Sequence, residues 1–364
     1  MESTVSAKRL LLNGNEAVAY AARQAEVQLG TGYPGTPSTE ILEAFSVLGG
    51  KAEWSPNEKV ALEVGLGVAY AGARALVTMK HVGLNVAADP LFTAAYTGVK
   101  GGLVIVTADD PGMASSQNEQ DNRHYARAAG VPMLEPSDSQ EAYDYLGLGL
   151  DLSELWATPI LLRLTTRICH SKTVIRTNRL IDPPKKVGFD RAPNRLVMIP
   201  AFARPAHRRL RARLDSIRQW SEAGGASEEI EGDGDLGIVT SGVSFVHARE
   251  AAPDASVLKL GMTYPPPIER IRAFAEKVNR CVVIEEGDPV LATEIRAAGI
   301  EVESKPEPFR FGEMNVSRVR AILAGHGSPD GAPKGGKAPQ LCPGCPHRMI
   351  FAVLKALDCI VTGD

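Results

Sequence analysis

The segment 53–85 constrains the fold more than any other, because its middle is built almost entirely of small residues. Between Glu58 and Arg74 stand Ala61, Gly65, Gly67, Ala69, Ala71, Gly72 and Ala73. Each glycine in a helix costs roughly 1 kcal/mol relative to alanine, so glycines at this density imply a packing reason. The expected reason is close approach of another backbone or of a flat ligand. Glu58 opens this helix and a strand is expected over 76–79. A carboxylate at the start of so slim a helix, facing a strand end, can touch a bound heterocycle.

Composition narrows the classes. The 364 residues suffice for two or three domains with substantial cores. A hydrophobic content of 44% and a charged content of 23% are those of a soluble globular protein. Sparse aromatics (5%) with 35 Gly and 25 Pro favour an α/β chain with many tight turns. The net charge of −3 argues against a dedicated nucleic-acid or membrane-surface protein. No apolar run reaches the ~18 residues of a membrane span, and the first residues hold one short apolar triplet and no secretory core. Five cysteines, an odd number and partly scattered, point to a reducing cytoplasm.

In chain order, Asn13 to Asn15 can cap a helix beginning near Glu16, with Gly30 just past its expected end. The loop 31–39, Thr-Gly-Tyr-Pro-Gly-Thr-Pro-Ser-Thr, is fixed by two prolines and two glycines, and Ser38 or Thr39 can cap a helix over 40–48. Such a loop exposes amide N–H groups suited to a carboxylate or phosphate, and reads equally as a plain connector. Lys80 and His81 fall where a parallel strand ends, the side on which open α/β sheets bind ligands. His81 is open to two readings, a polar contact to substrate or a satisfied structural histidine. The run 103–108 is a buried parallel strand leading into a long polar loop, 109–123. In that loop Ser116 and Arg123 are candidates for gripping an anionic substrate, or solvated surface. A helix over 137–152 and a strand over 159–164 complete a βαβα series, so residues 1–175 read as one doubly wound domain.

Residues 176–234 form a connecting segment, proline-rich and basic and then small and acidic. Its arginines (Arg204, Arg208, Arg209, Arg211, Arg213, Arg218) lack an aromatic platform or nucleic-acid motif. Leu210, Leu214 and Ile217 at helical spacing make it a surface-packed helix instead. A second, smaller α/β domain spans 235–324, with strands over 236–240, 257–260 and 281–285. The acidic pair Glu285–Glu286 at its last strand end reads as an interface or capping feature. Residues 325–340 are a Gly/Pro/Lys linker. Beyond lie Cys342 and Cys345 in a single C-x-x-C, a weak metal signal, then a helix and a short strand-like end. No ferredoxin cysteine spacing is present, so no metal residue is assigned.

Five motifs occur together and in order: 32–39, 57–61 with 71–74, 79–85, 115–121 and 341–348. This set resembles the 2-oxoacid:ferredoxin oxidoreductases, and within them the α subunits acting on indolepyruvate. The resemblance covers almost the whole chain. It implies a thiamine-diphosphate pyrimidine-binding domain, a transketolase-C-terminal-like α/β domain, and at 341–364 the start of a third, diphosphate-binding domain. Glu58 matches the glutamate that hydrogen-bonds the cofactor's aminopyrimidine, with Pro34 and Gly35 beside the cofactor. Thr36 matches a substrate contact, and Lys80, His81, Ser116 and Arg123 are further substrate candidates by position. The implied activity is CoA-dependent oxidative decarboxylation of arylpyruvates such as indolepyruvate, with pyruvate or 2-oxoglutarate as alternative substrates and a non-catalytic scaffold chain as the alternative role. Implied cofactors are thiamine diphosphate, Mg2+ and 4Fe–4S clusters; implied partners are a β subunit, ferredoxin and CoA, in a dimer of heterodimers. Because related α subunits continue further, the diphosphate, metal and cluster sites are expected largely outside this chain, which is then expected to be inactive alone.

Overall fold

The computed structural model describes residues 8–177, 187–328, 341 and 343–361. They fall into two compact units, Met1–Pro329 and Asp330–Asp364.

The small-residue helix runs Glu58–Tyr70. Asn57 sits extended before it and its side chain accepts the Val60 N–H at 3.0 Å, which starts the helix at Glu58. Ala61, Leu62, Gly65, Leu66 and Ala69 form its buried face. A Cβ on Gly65 would lie 2.4 Å from Val77 Cγ2, on the strand Ala75–Lys80. The glycine is therefore required by a stiff β-branched side chain of the adjoining strand, and not by a second backbone. Gly67 is exposed, with open space around it.

That strand belongs to a seven-stranded sheet ordered Met262–Tyr264, Met133–Leu134, Ile160–Thr165, Leu103–Asp109, Ala75–Lys80, Leu29–Gly32, Ala52–Trp54. Neighbours are parallel, except that Met262–Tyr264 pairs antiparallel with Met133–Leu134. Both faces are covered. One carries the helices Gly14–Gln24, Thr39–Val47 and Ser139–Trp156, packing Val18, Ile41, Phe45 and Leu146 against Leu76 and Val104. The other carries Glu58–Tyr70 and Ala88–Thr97, packing Leu62, Leu66 and Leu91 against Val77 and Ile105. Covering on both faces explains the uninterrupted apolar strands.

The strand order reverses between Leu29–Gly32 and Ala75–Lys80. After the first, the chain leaves for one face, where Ile41 and Phe45 are buried. After the second, it leaves for the opposite face through His81–Val86, burying Leu84. This is a topological switch point, the place at which open α/β sheets bind their ligands, outside the carboxyl ends of the strands.

The second sheet, ordered Glu303–Ser304, Arg280–Ile284, Leu236–Ser241, Ser256–Leu260, Ser227–Ile230, is parallel apart from its last strand. Because Met262–Tyr264 lies next in sequence to Ser256–Leu260 and joins the first sheet, the two sheets share one body. The basic helix Pro200–Glu222 buries Leu210, Leu214 and Ile217, as its periodicity requires. Two local expectations are corrected. Gly30 lies inside the strand Leu29–Gly32, where a Cβ would meet Leu42 at 2.8 Å, and does not end the preceding helix. Ser38 precedes the next helix without capping it, since its hydroxyl donates to Gly35 O at 3.0 Å.

Gly65→Ala is expected to cost about 1–3 kcal/mol from overpacking against Val77. Gly67→Ala, in open space, is expected to gain up to about 1 kcal/mol. Urea unfolding of the two variants checks this, and equal stabilities would remove the packing explanation.

Candidate active site at the switch point

Register brings several chain segments to one edge of the first sheet. Gly32 pairs with both Trp54 and Thr78, and Lys80 pairs with Ala108. Thus Pro34–Thr36, Glu58, Lys80 and the loop after Asp109 all lie within a few residues of that edge.

Glu58 is half-buried at the first position of its helix. Its carboxyl packs on the bare Cα of Gly83: a Cβ there would lie 2.6 Å from Glu58 Oε1. Among the described residues no hydrogen bond or ion pair engages this carboxyl. A half-desolvated carboxyl with both oxygens free is suited to a nitrogen heterocycle that can share a proton with it. This fits the aminopyrimidine of thiamine diphosphate.

In the loop, Tyr33, Pro34 and Thr36 are exposed and Gly35 half-buried. Its amides are partly used internally, with Gly35 N–H donating to Thr39 Oγ1 at 2.8 Å and Ser38 N–H to Gly35 O at 3.0 Å. Asn15, fully buried, donates to Pro37 O at 2.7 Å and anchors the loop from below. A Cβ on Gly35 would lie 3.1 Å from Lys80 Cβ, so the loop and the strand end touch.

Lys80 and His81 hold the long loop after Asp109. Lys80 Nζ donates to Ser115 O at 2.7 Å, and His81 Nε2 meets Asn118 O at 2.9 Å. His81 is wholly buried, with Nδ1 unpartnered. The Ser116 hydroxyl donates to Asp110 Oδ2 at 2.6 Å. Burial opposes ionisation of Asp110, but bonds from Ser116, Ser115 and Thr166 outweigh it and hold its carboxyl below the usual range.

Arg123 is placed elsewhere than at a substrate. It is 2% exposed, and its guanidinium donates to Asp121, to Glu285 at 2.5 Å, and to the carbonyls of Glu286 and Asp288. Glu285 in turn accepts the N–H groups of Leu291 and Ala292 at 2.9 and 3.0 Å, so it both joins the sheets and caps the helix Val290–Ala297. Arg163 extends the cluster to Asp109 at 2.7 Å and Glu135 at 3.0 Å. Arg163 and Glu135 belong to no motif that the sequence displays. The available signal was a lone arginine inside the apolar strand Ile160–Thr165, which no interior tolerates unpaired.

The buried cluster holds five carboxyls (Asp109, Asp121, Glu135, Glu285, Glu286) against three cations (Arg123, Arg163, Lys305). Burial with too little counter-charge disfavours full ionisation of these acids. Burial pushes Asp109 up to about 6 and also raises Glu286, and burial lowers Lys305 to about 8. Burial acts on Asp121 too, but Arg123 and Arg163 outweigh it and keep that carboxyl well below the usual range.

In the second unit the helix His347–Ala356 exposes Met349, Ile350, Phe351 and Val353. Cys345 Sγ lies 3.5 Å from His347 Nδ1, and Cys342 falls outside the described residues. Among the described residues no three His, Cys, Asp or Glu side chains cluster as metal ligands. No helix among them is long and apolar enough to cross a membrane.

A doubly wound sheet with a free carboxyl at its switch point defines a cofactor-binding α/β domain, and the match to a family model says which. Residues 20–226, more than half of the chain, match the family described as pyruvate flavodoxin/ferredoxin oxidoreductase, thiamine diP-binding, and the chain belongs to it. It is 40% identical to indolepyruvate oxidoreductase subunit IorA of Methanothermobacter thermautotrophicus, over 96% of this chain and 61% of that protein. The chain thus spans about three fifths of that relative's length. Among solved structures, the 2-oxoglutarate:ferredoxin oxidoreductase from Magnetococcus marinus superimposes with TM-score 0.71 at 17% identity, over 87% of this chain and 65% of that one. A split-gene transketolase superimposes with TM-score 0.56 at 15% identity, over 87% of this chain and 98% of that one. These likenesses establish the fold, including the smaller transketolase-like α/β portion.

The raised Asp109 has a consequence for stability. Its folded value of about 6 exceeds the ordinary 3.8, so between those values the folded state binds more proton than the unfolded one. Unfolding free energy contributed by this group therefore falls as pH rises through that window, by about 1.4 kcal/mol per unit of separation. Asp109→Asn is expected to remove this fall while keeping an acceptor for Arg163. Urea unfolding at stepped pH checks it, and identical pH slopes for variant and wild type would contradict it.

Proposed function

We propose that this chain supplies the thiamine-binding part of the α subunit of a 2-oxoacid:ferredoxin oxidoreductase, which converts arylpyruvates such as indolepyruvate to acyl-CoA and CO2. The observation that carries the proposal is the Glu58 carboxyl, half-buried at the switch point and unengaged among the described residues. The 40% identity to an indolepyruvate oxidoreductase subunit over nearly the whole chain supports the substrate class.

Thiamine diphosphate, when bound, supplies an electron sink for loss of CO2 from a 2-oxoacid. Glu58 holds a proton in common with a pyrimidine ring nitrogen, and the bare Cα of Gly83 leaves its carboxyl room to do so. Pro34 and Gly35 form the adjoining wall. Thr36, exposed on that loop, is the assigned substrate contact, with Lys80 near it through Gly35. Ser116 and His81 shape the neighbouring loop, and Arg123 ties the end of that loop to Glu285 at the second sheet. Mg2+, 4Fe–4S clusters, the β subunit, ferredoxin and CoA complete the proposal, in a cytoplasmic dimer of heterodimers.

Glu58→Gln, in the chain assembled with its partner subunit, is expected to lower indolepyruvate-dependent reduction of a viologen dye by about 10²–10⁴-fold. Size-exclusion elution of the assembly is expected to be unchanged. Turnover equal to wild type would favour a non-catalytic scaffold role, and faster turnover of pyruvate or 2-oxoglutarate than of indolepyruvate would reassign the substrate.

A further inference from the structure

The connecting segment carries a pocket that the proposed reaction leaves unused. Residues 188–190 are tied to the first sheet's helical layer: Gly188 N–H donates to Ala71 O at 2.7 Å, and Lys100 Nζ donates to Gly188 O at 2.8 Å and Asp190 Oδ2 at 2.6 Å. The chain then turns through Pro193–Leu196 into the basic helix Pro200–Glu222. Between them lies an open surface pocket of about 330 Å³ lined by Asp190, Ala192, Asn194, Arg195 and Arg209. That volume lies at the lower end of the range of small-molecule sites.

Its electrostatics are one-sided. Asp190, the acid in the lining, is already matched by Lys100. On the same helix Arg211 is engaged with His207, Arg213 with Ala95 O and Arg218 with Asp215, while Arg204 and Arg208 are exposed and, among the described residues, as free as Arg209 but lie outside the pocket lining. Arg195 and Arg209 have no ion-pair partner among the described residues, and the Arg195 Nε–H is shielded from solvent without an acceptor. Two guanidiniums without a hydrogen-bonded acid therefore stand at one pocket, Arg195 partly desolvated and sharing with Lys100 the longer-range pull of Asp190, in a chain whose net charge is −3. A guanidinium presents a planar fork of donors that matches phosphate oxygens, and desolvation strengthens such contacts.

We propose that this pocket binds the phosphate group of a small-molecule ligand, gripped by Arg195 and Arg209 with the Asn194 amide as a neutral donor. The site is separate from the switch point and does not depend on the thiamine reading. Inorganic phosphate and a phosphorylated nucleoside offer the same chemistry, so both serve as probes.

Isothermal titration calorimetry of the whole chain at low ionic strength, with inorganic phosphate and with adenosine 3′,5′-bisphosphate, tests it. Saturable binding at one site is expected, weakened by about tenfold or more in Arg195→Gln and in Arg209→Gln. Arg204→Gln, which removes the same charge from the same helix outside the pocket, is expected to leave binding unchanged. Arg209 is exposed, so its variant decides the matter if Arg195→Gln loses its thermal transition. Tighter binding of the bisphosphate assigns a nucleotide-type ligand, and equal binding assigns free phosphate. Absence of saturable binding of either probe, or an equal loss in Arg204→Gln, overturns the proposal.

Discussion

The reversal of strand order between Leu29–Gly32 and Ala75–Lys80 is the constraint on which the site depends. Two adjacent parallel strands send their chains to opposite faces, so no helix can close the gap between their carboxyl ends. The edge strand Ala52–Trp54 then delivers Glu58 to the same rim. The His81–Val86 helix meets it with a glycine, Gly83, where any side chain would displace the carboxyl. The Glu58 carboxyl is thus positioned by topology and by one missing methyl group, with no hydrogen bond from the described residues to fix it.

A second constraint joins the two sheets. The strand Met262–Tyr264 crosses to the first sheet, and the Arg123–Glu285 pair, with Asp121 and Arg163, bridges the buried ground between them. Buried charge pairs contribute little net stability, and removing one partner is costly. Their effect here is geometric. The same residues anchor the end of the 110–122 loop whose middle is held by Lys80 and His81, so the second sheet reaches the switch point through that loop. Burial raises the carboxyls of Asp109 and Glu286, which eases the placing of five acids beside three bases in a buried site.

Much of this architecture was legible from residues alone, because parallel strands covered on both faces read as apolar runs and helices announce their buried face by period. The strands at 76–79, 103–108 and 236–240 and the helix carrying Leu210 and Leu214 follow directly. The crossing strand Met262–Tyr264 did not, since three residues show no period. Local chemistry misled at Gly30 and Ser38, where tertiary packing against Leu42 and a loop carbonyl outweighed helix-end preference. Of the glycines in the Glu58 helix, Gly65 follows from packing, against Val77 of the strand beneath, whereas Gly67 faces open space. Arg123 was misplaced for a physical reason: a polar loop reads as solvated, and nothing in sequence spacing brings Glu285 to it across 162 residues. Glu285 itself was read as an interface or capping residue, and it is both.

The central claim is that the Glu58 carboxyl and a pyrimidine nitrogen share a proton. Nitrogen-15 NMR of thiamine diphosphate labelled at the pyrimidine N1′, bound to the assembled protein, reads this directly. The expected result is an N1′ resonance shifted far from its free position toward the protonated value in wild type, and returned toward the free position in Glu58→Gln. The same N1′ shift in both proteins would show that the carboxyl does not touch the ring.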